Sequence, residues 1–371
     1  LGRHGLPPVA EGPFDLRAMV DSTGDRVKIE VDGDIGNLDL AIKGDIDKLL
    51  QPGSGYAETR ASGPNLRALG EALGVKGLVP DPFEWAADFA LRDGILEVDN
   101  ARLSTHLDEL TVSGNLSTEA GMPNSNIVLA LKSAEISRWG PLFGKSWNEQ
   151  GAIDLDVIAN TDPRGVLSID GSLMQGVSTL QMKGEVGPLS GPYDPDMEFE
   201  FSSTEMPRLA SLFDQPGLPG GQFNLKGHIN KTGSELQLDD IEMSLNRHQA
   251  MIGGRVVLER NFGGSDLDIH IEIPDLAEFG LLFNRPNLPA ESMVLNARLQ
   301  PEGEGLAFQV SKTEVGDIRL KLDGKIADIK NPIGIDADFD IRFPNEEILY
   351  LVTPKLKYPS GPLSIQGSLV H

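Results

Sequence analysis

Carboxylates at alternate positions are the first residues with a chemistry to consider. Asp336, Asp338 and Asp340 form one such row, and Asp266, Asp268 and Glu272 form another. A calcium ion gathers roughly six to eight oxygens at about 2.4 Å. Alternate residues of one strand lie about 6.8 Å apart, so such a row serves an ion only with further ligands from loops. A solvated strand face is the expected role. VDGDIGNLD (31–39) has the acidic opening of an EF-hand loop, but the twelfth position from Asp32 is Lys43, where that loop needs a bidentate Glu. It reads instead as a hairpin turn. His4, His106, His228, His248, His270 and His371 form neither HExxH nor an i, i+4 pair, so no zinc site is expected and each is expected to face solvent. His270, among the acids of IHIEI, is expected to meet water rather than metal. There is no cysteine, which excludes disulfides, thiolate nucleophiles and Cys-ligated metals. GxSxG, P-loop and GxGxxG patterns are absent too. The expectation is a protein that is not an enzyme and uses no metal or cofactor.

The elements that carry these residues recur. Gly44, Gly114, Gly184, Gly254 and Gly324 stand 70 residues apart, each closing an alternating segment such as LTVSG or LKLDG. With the same period, Pro64-Asn65, Ala134-Glu135, Thr204-Glu205, Pro274-Asp275 and Pro344-Asn345 each open a short helical pattern, with a side chain that suits a helix start. Apolar residues follow in register at Leu69, Trp139, Leu209, Phe279 and Leu349, then at Leu73, Phe143, Phe213 and Phe283, with Thr353 the exception.

Between these landmarks the period is 2, as half-buried strands require. The strand before each helix carries Ile127, Leu129 and Leu131, then Met197, Phe199 and Phe201, then Leu267, Ile269 and Ile271, then Ala337, Phe339 and Ile341. The strand that ends at each spaced glycine carries Leu110 and Val112, Leu180 and Met182, Ala250 and Ile252, and Leu320 and Leu322. Further alternating strands begin at Phe83, Ile153, Phe223 and Met293, with turns at Asp93-Gly94, Arg164-Gly165, Gly233-Ser234 and Gly303-Glu304-Gly305. About five strands and one short helix per copy are expected. The copies are 14–82, 83–151, 152–221, 222–291 and 292–360. Residues 1–13 read as the tail of a preceding copy, since Gly5-Leu6-Pro7 matches the linker Gly217-Leu218-Pro219. Residues 361–371 read as the first strand of a further one, so the array is expected to run past both ends.

At 371 residues the chain exceeds what one core usually serves, and a repeat architecture suits that length. The net charge of −24 argues against nucleic acid, whose phosphates need a Lys/Arg-rich surface. Each strand has one oily and one acidic face, and the oily face must be covered. A second sheet, the helices or a ligand could do so. A packed interior and a lipid-lined trough want the same residues.

FNLKGHINKTGSELQLDDIEMSLNRHQAMIGGRVVLERNFGGSDLDIHIEIPDLAEFGLLF (223–283) and VLNARLQPEGEGLAFQVSKTEVGDIRLKLDGKIADIKNPIGIDADFDIRFPNEEILYL (294–351) carry a resemblance. Their order of hairpin, strand near Gly, strand, then helix after Pro-Asp or Pro-Asn resembles the AsmA/TamB-type, repeating-β-groove, bridge-like lipid-transfer family. The resemblance implies a mostly β fold, an elongated and strongly curved antiparallel groove or solenoid of such repeats. It also implies a periplasmic protein anchored in the inner membrane, phospholipid moving toward the outer membrane, and membrane-protein partners at either end. The groove-lining candidates are then the columns above, from Leu110 and Ile127 to Phe339 and Ile341, without Ala250 and Ala337. A second function open at this point is an assembly factor that uses exposed sheet edges to bind outer-membrane clients.

Overall fold

The computed structural model describes residues 14–47, 53–144, 151–189, 191–205, 220–258, 264–283, 285, 288–302, 305–326, 335–344 and 361–370. It forms two compact units, one up to Tyr193 and one from Asp194. No helix among the described residues is long and apolar enough to cross a membrane.

The first unit is an antiparallel sheet in which each strand pairs with the next in sequence. Its strands are β1 (Phe14–Thr23), β2 (Arg26–Ile35), β3 (Leu38–Asp47), β4 (Ser54–Gly63), β5 (Phe83–Arg92), β6 (Ile95–Thr105), β7 (Asp108–Ser117), β8 (Asn126–Ser133), β9 (Ile153–Thr161), β10 (Val166–Gln175) and β11 (Ser178–Pro188). Helix α1 (Leu66–Ala72) follows β4, and a 3₁₀ helix (Ile136–Phe143) follows β8.

The second unit is likewise an antiparallel sheet in which each strand pairs with the next in sequence. Its strands are β12 (Asp196–Ser203), β13 (Phe223–Thr232), β14 (Glu235–Leu245), β15 (His248–Val257), β16 (Asp266–Ile273), β17 (Met293–Glu302), β18 (Gly305–Val315), β19 (Ile318–Ile326), β20 (Ile335–Phe343) and β21 (Leu363–Val370). Helix α2 (Leu276–Leu282) follows β16.

Two-residue turns set the register where the sequence carries turn residues. Arg92 pairs with Ile95 across Asp93-Gly94, both at positive φ. Ile35 pairs with Leu38 across Gly36-Asn37, so VDGDIGNLD is a hairpin.

Between α1 and the 3₁₀ helix there are four strands, β5 to β8, where the sequence suggested about five to a copy. The reason is a bulge in the second strand. β6 shifts register between Val98 and Ala101, β14 between Leu238 and Ile241, and β18 between Val310 and Thr313. The extra residue interrupts the alternation inside one long strand. Asn100 and Asp240 take the left-handed conformation there, which their short polar side chains tolerate. The spaced glycines also differ from expectation. They lie inside their strands rather than at the ends, Gly114 within β7 and Gly254 within β15. At Gly254 φ is +119°, and a Cβ would sit 2.2 Å from the Asp266 carbonyl oxygen. Only glycine fits there.

The helices hold one end of the strands. Asn65 caps α1 by accepting the Ala68 N–H at 3.2 Å, and Asp275 caps α2 by accepting those of Ala277 and Glu278 at 2.9 and 3.2 Å. Glu135 makes no such side-chain cap. The helical patterns after Thr204-Glu205 and Pro344-Asn345 lie outside the described residues. Under α1, Leu38, Leu66, Val79 and Phe83 form a buried cluster, with Leu69 packed against it. Leu73, in the second apolar column, is 72% exposed and does not join it.

Buried Asp108 ties the 3₁₀ helix to the sheet. It accepts from Thr105 Oγ1 at 2.9 Å, Arg138 Nη2 at 3.0 Å, Trp139 Nε1 at 3.3 Å and Ser133 Oγ. Arg138 also bonds Asp81. Burial alone would raise the Asp108 pKa, but the hydrogen bonds from Ser133, Arg138 and Thr105 outweigh it and hold the carboxyl below its ordinary range. A carboxyl depressed below its unfolded value of about 3.9 stabilises the fold above that pH, and the stabilisation is lost as the pH falls through the folded pKa. Asp108→Ala is expected to cost about 2 kcal/mol at neutral pH. It should also flatten the loss of stability below about pH 4 expected of the intact protein. Unfolding followed by amide exchange of β7 and β8 between neutral and acid pH checks both, and an unaltered acid limb would remove Asp108 from this role.

Candidate functional site

Because consecutive strands pair in fixed register, side chains on one face line up in ranks that cross the sheet. In the first unit one rank runs Leu16, Gly33, Leu40, Ala61, Trp85, Leu103, Leu110, Leu131, Leu155, Leu173, Leu180, each opposite the next. Every strand contributes one residue. A second rank includes Val112, Leu129, Val157, Gly171 and Met182, and a third Gly114, Ile127, Ala159, Ile169 and Gly184.

The second unit has the same three. The first runs Phe201, Leu225, Met243, Ala250, Ile271, Leu295, Thr313, Leu320, Ile341, Ile365. The next holds Ile241, Ile252, Ile269, Ala297, Val310, Leu322 and Phe339, with Phe199 opposite Gly227 in the same row. The third holds Met197, Ile229, Leu238, Gly254, Leu267, Leu299, Phe308, Gly324 and Ala337. The sequence columns thus meet as neighbours: Leu110 faces Leu131, Val112 faces Leu129, Ile252 faces Ile269, Leu320 faces Ile341 and Leu322 faces Phe339.

All eighteen groove-lining candidates are half-buried. Each is screened by rank neighbours on the adjoining strands, about 4.8 Å away. None is sealed as a core residue is, and none lies fully open. Beyond the first rank, at the helix end, a further row is buried: Leu38, Phe83, Asp108, Ser133, Gln175 and Ser178 in the first unit, Ser203, His248 and Ile273 in the second. Among the described residues, α1 packs on Leu38 and Phe83, the 3₁₀ helix reaches Asp108 and α2 lies against His248.

The opposite face is charged. Lys43 meets Glu30 at 3.3 Å, Arg102 meets Glu109 at 3.1 Å, Lys226 meets Glu242 at 2.8 Å and Arg298 meets Asp266 at 3.3 Å. Exposed pairs of this kind contribute little stability each. The carboxylate rows are interleaved with cations, Asp336 with Lys325 at 4.0 Å and Asp340 with Arg342 at 2.9 Å. His270 lies on this face, with Nδ1 2.6 Å from Asn296 Oδ1 and Nε2 3.0 Å from Glu272, and those bonds raise its pKa. His228, bonded to Asp196 and near Asp239, is raised likewise.

The expectation that every histidine faces solvent fails at His248, which is 3% exposed because it starts β15 beneath α2. His4 and His371 lie outside the described residues.

Sequence columns missed the ranks' contribution from the bulged strands: Val98, Leu103, Leu238, Met243, Phe308 and Val310. In β6 and β14 the signal was apolar spacing of three across Asp99-Asn100 and Asp239-Asp240, and in β18 the bulge at Ser311-Lys312 leads to polar Thr313.

Fold and site together define an antiparallel β-sheet protein with one apolar and one charged face. Comparison of the chain with known protein families, curated proteins and solved structures gives no match.

Proposed function

We propose that this chain is part of a non-enzymatic lipid conduit, in which phospholipid acyl chains lie along the three apolar ranks while headgroups stay in water. The observation that carries this reading is the first rank of each unit, to which every strand adds a residue, apolar on nearly every strand and half-buried on most of them, with Met243 and Ile365 exposed and Thr313 buried. An acyl chain held against such a rank is spared about 0.8 kcal/mol for each CH₂ kept from water. Ranks of similar side chains present no step at which that protection is lost, which is what passage along the face requires. The 70-residue copies and the resemblance to AsmA/TamB-type proteins support the same reading. It places the full-length protein in the periplasm, anchored in the inner membrane, with the groove curved around its cargo and a membrane partner at either end. The charged opposite face keeps a sheet-rich body in solution and discourages edge pairing.

A photo-crosslinking residue placed at Leu129 should capture phospholipid in cells that carry the protein. The same residue at Val128, 40% exposed on the opposite face, should not. Mass spectrometry of the adducts decides: lipid on neither position, or equally on both, would overturn the conduit.

A further inference from the structure

On β5 and β6 the apolar face of the first unit is closed. Ala87, Val98 and Ala101 are 2%, 6% and 4% exposed and form one cluster. Gly227, Leu238 and Ile241, the residues 140 further on, are only half-buried. What differs is the side chains above them. Trp85 and Phe89 pack against the cluster. The residues 70, 140 and 210 beyond Trp85 are Leu155, Leu225 and Leu295, and those beyond Phe89 are Ala159, Ile229 and Leu299.

The indole of Trp85 is also pinned. Its Nε1 donates to Thr59 Oγ1 at 2.9 Å, and that hydroxyl donates to the Ala87 carbonyl oxygen at 3.3 Å. Trp85 pairs with Ala61 in the first rank, whereas Thr59 pairs with Ala87 in the second. The ring therefore leans from the first rank into the second. At the spacing of 70, Thr59 is followed by Leu129, Phe199, Ile269 and Phe339, so the one hydroxyl of that column stands beside the one indole. The two departures from the pattern belong together. With Ala57 and Ala61 on either side of Thr59, the bulk of β4 has moved to β5, where one ring spans two ranks.

We propose that Trp85 is a narrow point of the lipid path, where the pinned indole holds acyl chains off the second and third ranks of β5 and β6. This rests on the conduit reading and adds to it a place where the path changes width. Protection from water is kept there, because the half-buried indole offers a broad apolar surface of its own. What a chain loses is room: it lies over the ring instead of between the side chains of the ranks. A leucine at this position would leave the two small residues Ala87 and Ala101 as the floor of a hollow open to the chain.

The test uses the full chain and vesicles of dioleoyl phosphatidylcholine containing a phosphatidylcholine with a diazirine on one acyl chain. Illumination marks the side chains that the acyl chain touches, and mass spectrometry maps them. In the intact protein Ile241 and Ile269 should carry adducts, and Val98 and Ala101 almost none. Trp85→Leu, which installs the residue found at the three corresponding positions, should raise adducts at Val98 and Ala101 by at least ~10-fold, the worth of about two more shielded CH₂ groups. Adducts at Ile269 should stay within about twofold, since distant sites act independently. If Val98 and Ala101 are marked as heavily in the intact protein as in the variant, with Ile269 marked in both, the narrow point is overturned and the conduit stands. Adducts at neither Ile241 nor Ile269 overturn both. Should Trp85→Leu fail to fold, Thr59→Val decides, because it releases the ring at nearly the same volume. A rise in adducts at Ala101 then supports the narrow point, and an unchanged yield overturns it.

Discussion

Gly254→Ala is expected to destabilise the second unit by about 3 kcal/mol or more, whereas Gly253→Ala, one residue away, should change stability by less than about 0.5 kcal/mol. The two positions add the same methyl group to the same strand. At Gly254 the backbone has φ +119°, and the new Cβ would stand 2.2 Å from the carbonyl oxygen of Asp266. That oxygen is backbone, and it cannot retreat without pulling apart the Gly254–Leu267 and Arg255–Asp266 pairing of β15 and β16. At Gly253 the nearest atom to a new Cβ is the Leu238 carbonyl oxygen at 3.8 Å, ordinary contact. Reduced freedom of the unfolded chain even favours that alanine slightly. Denaturant unfolding together with amide exchange of β15 and β16 separates the two. Equal effects would mean that the close approach is not what fixes glycine at this spacing.

Ile269→Asp is the second large effect, and it falls on lipid rather than on the fold. Ile269 stands between Ile252 and Ala297 in its rank and is half-buried. Water therefore reaches a carboxylate there, and the fold should lose only about 1–2 kcal/mol. An acyl chain lying across the same place would strip that water, and an unpaired charge so treated costs several kcal/mol. Phospholipid adducts on a photo-crosslinker at Ile252 should fall by at least ~10-fold, since each 1.4 kcal/mol is a factor of ten. Asp268→Ser, on the charged face, should leave them unchanged. Persistence of full adduct yield in a folded Ile269→Asp protein would sink the conduit reading.

Much of this was legible in the residues because a strand states its faces plainly. Alternation in IVLAL and MEFEF marked the β8 and β12 residues that occupy the ranks, and Asn65 and Asp275 marked where α1 and α2 begin. What escaped was governed by geometry between strands. The bulges in β6, β14 and β18 break the two-residue period, so Val98–Ala101–Leu103 looks like a boundary when it is one strand. The recurrent glycines looked like stops, but the reason for them lies in a carbonyl of the neighbouring strand. His248 looked like one more surface histidine. Its burial follows from α2 lying over the start of β15.

Register that never skips a strand also sets how such a chain can change length. Leu131 faces Leu155, and Ala61 is the residue 70 positions before Leu131. Excising residues 84–153 would therefore bring Leu155 opposite Ala61, in the place that Trp85 now holds, with Leu173 and Leu180 following in line. Losing a single residue inside β9 would instead turn the rest of that strand over, oily side to water. Gene-level growth or shrinkage is thus confined to whole four-strand quanta, each worth about 19 Å of stacked strands. The span of such a protein is a quantity that evolution can set only in discrete steps.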